Sequence, residues 1–154
     1  MPRRGFGRLG WVLVLALALG TTARANSDSG ASHRFIKIIP LPSGQTLVVA
    51  EGEFEPRSVG SFSIRLYHPS ATDLDRTSFL VNGFIGEREG SLERVILERD
   101  KAGALSRIIV QVRSAGSGGY LSGAAYGLAQ GRLVFLAQVQ GLPPTADLPR
   151  ALGR

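Results

Sequence analysis

Residues 61–67 read Ser-Phe-Ser-Ile-Arg-Leu-Tyr, with Phe62, Ile64 and Leu66 at every second position and Ser61, Ser63 and Arg65 between them. Side chains of an extended chain point alternately to opposite faces, so this spacing predicts a strand with one buried and one wet face. Runs of similar length stand on either side: "RFIKIIPL" from 34, "QTLVVAE" from 45, "SFLVNGFI" from 78, "LERVILER" from 92, "SRIIVQVR" from 106, "GYLSGAAYGL" from 119 and "RLVFLAQV" from 132. All are enriched in Val, Ile, Leu and Phe and are separated by turn residues. Eight such runs in about 110 residues match the spacing of an all-β sandwich or barrel. The segments "PSG" at 42–44, "DKAG" at 100–103 and "AQG" at 129–131 are short enough to close hairpins, which implies antiparallel meanders. The expected fold is a single-domain antiparallel β-sandwich of about eight strands over residues 34–142. Leu92, Val95 and Ile96 also fit one face of a helix, with Glu93, Arg94, Glu98 and Arg99 on the other; strand is the reading preferred. Glu51, Glu53, Glu55 and Arg57 read as solvated surface.

The two ends differ from this middle. Arg3, Arg4 and Arg8 precede an apolar stretch from Trp11 to Leu19, followed by Ala23-Arg24-Ala25, the order of a secretory signal peptide over residues 1–25. The apolar part is about half the roughly 20 residues that a spanning helix needs, so no membrane anchor is expected after cleavage near Ala25. Arg3-Arg4-Gly5-Phe6-Gly7-Arg8 fits an ordinary basic n-region and also the twin-arginine pattern, which leaves the export route open. Residues 26–33, "NSDSGASH", read as a flexible leader, and 143–154, broken by Pro143, Pro144 and Pro149, as a mostly irregular tail. The expected location is periplasmic.

Charge and composition exclude several functions. The chain carries 18 basic and 12 acidic residues, but Arg3, Arg4, Arg8 and Arg24 leave with the signal, which lowers the net charge from +6 to +2. No basic stripe remains, so nucleic acid is not expected as a partner. The absence of cysteine rules out disulfides and thiolate metal sites. His33 and His68, without a calcium-loop pattern, offer no compact ligand set, and no cofactor or metal is expected.

The stretch "SAGSGGYLSG" at 114–123, directly after an Ile/Val strand, invites three chemical readings. Ala115-Gly116-Ser117-Gly118-Gly119 approaches a nucleophile elbow, but both histidines precede Ser117, whereas the elbow fold places its acid and histidine after the serine. Gly116-Ser117-Gly118-Gly119-Tyr120-Leu121 lacks the last glycine of a dinucleotide loop, and no Gly-Lys-Ser/Thr follows. A glycosidase needs two carboxylates, and nothing singles out a pair among the twelve.

Ser117-Gly118-Gly119-Tyr120 resembles the Ser-Gly-x-Tyr loop of the periplasmic inhibitors of I-type (invertebrate) lysozyme. The resemblance extends to 41–67, "LPSGQTLVVAEGEFEPRSVGSFSIRLY", to 79–98 and to 133–143, which together cover most of the domain. One departure is the turn "ERDKAGALS", which lacks the acidic, glycine-rich character of the relatives and weakens any idea of a bound cation. The resemblance implies a β-sandwich that is not an enzyme and that presents the loop to the substrate cleft of an I-type lysozyme. Ser117 would donate to a catalytic carboxyl, Tyr120 would fill the adjacent subsite, and Gly118 and Gly119 would shape the turn. Tyr126 reads as core packing, while Arg113 reads as a surface arginine or a contact for an acidic rim. Two other functions stay open on the residues alone: a secreted glycan or cell-wall binding module using the same loop, and a small serine hydrolase built on Ser117. The exposed sheet edges of such a sandwich also leave a homodimer open.

Overall fold

The computed structural model describes residues 34–153; the expected signal at 1–25 and leader at 26–33 lie outside the described residues. Eight strands follow in order: β1 (Ile36–Pro40), β2 (Thr46–Glu51), β3 (Gly60–Tyr67), β4 (Leu80–Arg88), β5 (Ser91–Arg99), β6 (Leu105–Arg113), β7 (Leu121–Ala129) and β8 (Arg132–Leu142). They form two four-stranded antiparallel sheets, β1-β2-β3-β4 and β5-β6-β7-β8, each a meander. The segment with helical spacing at 92–99 is strand β5. No helix among the described residues is long and apolar enough to cross a membrane.

Register explains the core. In the first sheet Leu47 stands opposite Leu66, Val49 opposite Ile64 and Glu51 opposite Phe62. The inward row of β3 is therefore Phe62, Ile64 and Leu66, as the alternation predicts, and all three are buried. From the second sheet Val95, Ile108, Val110, Val112, Ala124 and Tyr126 pack against them. On β4 the inward positions are Phe84 and Gly86, opposite Ile64 and Phe62. A Cβ at Gly86 would approach the Phe62 ring to 2.6 Å, so the glycine makes room for the ring. Where β4 faces β8, Asn82 closes the gap: its Nδ2 donates to the Leu133 carbonyl at 2.9 Å and its Oδ1 accepts from the Leu133 amide at 3.0 Å.

The second sheet is covered on both faces. Ile108, Ile109, Val110, Gln111 and Val112 on β6 are all buried, which is why this strand is apolar without interruption by charge. Its outer cover is the chain after β8. Residues 143–147 are irregular, but Leu148–Ala151 makes one helical turn, α1, capped by Asp147. This turn sets Leu148 and Leu152 against Ile109 and Ala125. Gly123 forms the socket, since a Cβ there would meet the Leu148 methyl at 2.7 Å.

Glu51 corrects the reading of 51–57 as solvated surface: it is buried, and so is Arg88. Both occupy inward positions at the end of the apolar rows, Glu51 after Leu47 and Val49, Arg88 after Phe84 and Gly86. Glu51 accepts the amides of Phe35 at 2.9 Å and Leu92 at 2.7 Å, thereby joining the start of β1 to β5. Arg88 lies 3.8 Å from the Glu51 carboxylate. Its Nε donates to the Ser61 carbonyl, Nη1 to those of Arg57 and Gly90, and Nη2 to that of Pro56. Here the chain changes sheets, with only Glu89 and Gly90 between β4 and β5. Gly90 has φ +125°, and a Cβ there would collide with the Arg113 carbonyl.

Removing one member of a buried ion pair leaves the other charge uncompensated, which typically costs 3–5 kcal/mol. Arg88→Met is therefore expected to lower unfolding stability by about 3 kcal/mol or more, read from urea denaturation. A midpoint equal to that of the wild type would show that the pair does not hold the corner.

Candidate functional site

Strands β6 and β7 end on the facing pair Arg113 and Leu121, and the ladder continues for one more bond, Ser114 amide to Tyr120 carbonyl at 2.9 Å. Beyond it the Gly119 amide donates to the Gly116 carbonyl at 3.1 Å, closing a four-residue turn with Ser117 and Gly118 at its tip. Ser117 is exposed and Tyr120 is 52% exposed, and neither belongs to an apolar cluster of the domain. The Tyr120 ring lies against its own loop, since a Cβ on Gly118 would run into the ring. Gly119 has φ +54°, in the left-handed region where glycine is accommodated without strain. Of the four residues singled out in the sequence, Ser117, Gly118 and Gly119 thus lie in the turn, and Tyr120 follows it on the last rung of the ladder.

The turn is braced from below. Arg113 donates through Nη1 to the Gly119 carbonyl at 2.9 Å and through Nη2 to Glu93 Oε1 at 3.0 Å. The other Glu93 oxygen accepts from Gln111 Nε2 at 2.6 Å, and Gln111 Oε1 accepts from Arg94 Nε at 2.9 Å. Glu93 reaches this network because the register shifts between Leu92 and Arg94, leaving it as the extra residue of a β-bulge. Its carboxyl titrates below its ordinary value, chiefly through the hydrogen bond from Arg113. Arg113 therefore holds the loop through its own strand. Glu93 and Gln111 were missed in the sequence, although a glutamine inside "RIIVQV" was a sign of a buried polar partner.

Among the described residues, no histidine or carboxylate hydrogen-bonds the Ser117 hydroxyl. His68, the one histidine among the described residues, follows the far end of β3, a full strand length from the pairing of Gly60 with Arg88 at the corner. The described residues hold no group of three His, Asp or Glu side chains able to bind a metal ion. Tyr126 is buried between Phe84 and Phe135, at centroid distances of 5.4 and 5.8 Å, and burial pushes its hydroxyl up to about 12. It packs the core and does not face the loop's surroundings.

A glycine-shaped turn with exposed serine and tyrosine side chains thus stands at one end of the second sheet. The model of one family, described as "PliI: Periplasmic lysozyme inhibitor of I-type lysozyme", matches residues 33–154. Two solved structures are similar. One is the crystal structure of Aeromonas hydrophila PliI in complex with Meretrix lusoria lysozyme, 38% identical, covering 78% of this chain and 96% of that chain with a TM-score of 0.69. The other is a crystal structure of PliI-Ah, the periplasmic inhibitor of I-type lysozyme from the same organism, also 38% identical, covering 77% of this chain and 98% of that chain with a TM-score of 0.68. No curated protein sequence matches. The chain belongs to the periplasmic inhibitors of I-type lysozyme, and it is an inhibitor, not an enzyme.

The Glu93–Arg113 brace has a pH signature. Because the folded carboxyl titrates below its ordinary 4.5, its contribution to loop order is complete above that pH and is lost as pH falls through the lowered value. The amide resonances of Gly119 and Tyr120 are expected to stay constant from pH 7 down to 4.5 and to move only below it, and to lose that step in Glu93→Gln. A step centred above 4.5, or one persisting in the variant, would contradict the brace.

Proposed function

We propose that this chain blocks an I-type lysozyme by inserting the Ser117-Gly118-Gly119-Tyr120 turn into the substrate cleft. The observation that carries the reading is the turn itself, with two exposed hydroxyl-bearing side chains on a backbone fixed by the bonds of Arg113, Ser114 and Gly119. Glycosidases hydrolyse with a pair of carboxyl groups beside the scissile bond, so an empty cleft offers hydrogen-bond acceptors at its floor. The Ser117 hydroxyl donates to one of these carboxyls. Tyr120 lays its ring in the neighbouring saccharide subsite and donates through its phenol, a contact that orders few torsions. Bracing before binding lowers the ordering cost of association. Support also comes from the 38% identical Aeromonas hydrophila relative, whose crystal structure is a complex with a lysozyme.

The test is titration of the purified domain against I-type, chicken-type and goose-type lysozymes, followed by clearing of a peptidoglycan suspension. Stoichiometric inhibition of the I-type enzyme is expected. Loss of an anchor side chain from a desolvated pocket costs about 2 kcal/mol, roughly thirtyfold in affinity, and Ser117→Ala with Tyr120→Ala should weaken inhibition at least that much. Undiminished inhibition by the double variant would remove the loop from the mechanism.

A further inference from the structure

A cavity of about 900 Å³ lies on the outer face of the second sheet, between the β5–β6 hairpin, β8 and the turn α1. It is far from the Ser117–Tyr120 turn, because β6 starts at the cavity, with Ser106 and Arg107, and ends at that turn, with Arg113. Small-molecule sites typically occupy about 300–1,000 Å³.

The cavity has a fixed frame. Arg107, its side chain 13% exposed, donates through Nε to Glu98 Oε2 at 2.5 Å and through Nη2 to the Pro149 carbonyl at 3.0 Å. Its Nη1 donates to the Gly153 carbonyl, so one guanidinium ties the tail to the sheet on either side of α1. Both carboxylates on the wall are already engaged. Glu98 pairs with Arg107, and Asp147 accepts the Arg150 amide as the cap of α1.

Two more guanidinium groups line the same space, those of Arg99 and Arg150. Both residues are exposed, and neither forms an ion pair with a described residue. Arg99 places Nη1 on the Gly103 carbonyl at 2.9 Å and has further donors beyond that one. The rest of the wall is aliphatic: Leu152 is buried, but Leu136 on β8 is 51% exposed. No aromatic side chain lines the cavity, so a sugar or base ring finds no platform on which to stack.

We propose that this cavity binds a small aliphatic carboxylate, the chemistry shared by peptide C-termini and short fatty acids. Arg99 and Arg150 hold the carboxylate by charge-assisted hydrogen bonds, to which the planar guanidinium fork is matched. The aliphatic body lies along Leu136, Ala137 and Leu152 and takes their surface out of water. A bare inorganic anion would leave that surface wet, and a neutral chain would make no use of either guanidinium.

Amide resonances of the purified protein, followed during titration with hexanoate, acetyl-alanyl-alanine, hexanamide and inorganic phosphate, provide the check. Hexanoate or the dipeptide should move the resonances of Ser106, Ala137 and Leu152 to saturation, and the tighter of the two identifies a lipid or a peptide source. Hexanamide and phosphate should bind at least tenfold more weakly; either one binding as tightly as the carboxylates would overturn the assignment. Arg99→Gln with Arg150→Gln should weaken carboxylate binding about tenfold or more, with the thermal midpoint of unfolding as in wild type. Absence of a saturable shift with both carboxylates, or a shift that persists in the double variant, would remove the site.

Discussion

The buried pair of Glu51 and Arg88 is the constraint on which the sheets and the loops both depend. Two sheets joined by a two-residue corner leave backbone groups facing inward at the place where neither ladder can satisfy them. Glu51 takes two of the donors, on Phe35 and Leu92, and Arg88 takes four of the acceptors, on Ser61, Arg57, Pro56 and Gly90. An apolar pair of the same volume would often be at least as stable in a uniform core. It would remove the partners of the buried Gly90 carbonyl and Leu92 amide, and each unsatisfied buried group costs about 1–3 kcal/mol. The charges are retained by the geometry of the corner, because only side chains with several oxygens or nitrogens reach so many backbone partners at once.

The same pair shows where sequence reading stopped. Alternation in Phe62, Ile64 and Leu66 identified the inward face of β3, and the short turns identified the hairpins, because both depend on neighbours in the chain. Continued by two residues, the alternation of Leu47 and Val49 also points Glu51 inward, and that of Phe84 and Gly86 does so for Arg88. The expectation of solvent came from residue type, which outweighed position. Charge at an inward position is the exception that a corner demands, and the corner depends on contacts between residues 37 positions apart. The cover on the second sheet escaped notice for a similar reason: Pro143, Pro144 and Pro149 mark an interrupted chain, yet Leu148 and Leu152 between and after them have the spacing of one helical turn and find an apolar face at Ile109 and Ala125.

At the loop, the exposed residues were legible and their supports were not. Ser117 and Tyr120 stood out through the resemblance of their glycine-rich stretch to the Ser-Gly-x-Tyr loop. Glu93, Gln111 and Arg113 looked like ordinary strand residues, and only the bulge at Glu93 brings the three together on the outer face of the second sheet. Arg113, considered as a contact for an acidic rim, places one donor on Gly119 and another on Glu93 and so ties the loop to the bulge.

The two central glycines of the turn have different physical reasons. Position 118 is closed: any Cβ would displace the Tyr120 ring, and with it the direction in which the phenol is offered. Position 119 is open: its Cβ direction meets only Arg113 Nη1, at 3.6 Å, and the requirement is the left-handed backbone alone. Asparagine adopts that conformation far more readily than other side chains do, so position 119 tolerates a residue that position 118 does not.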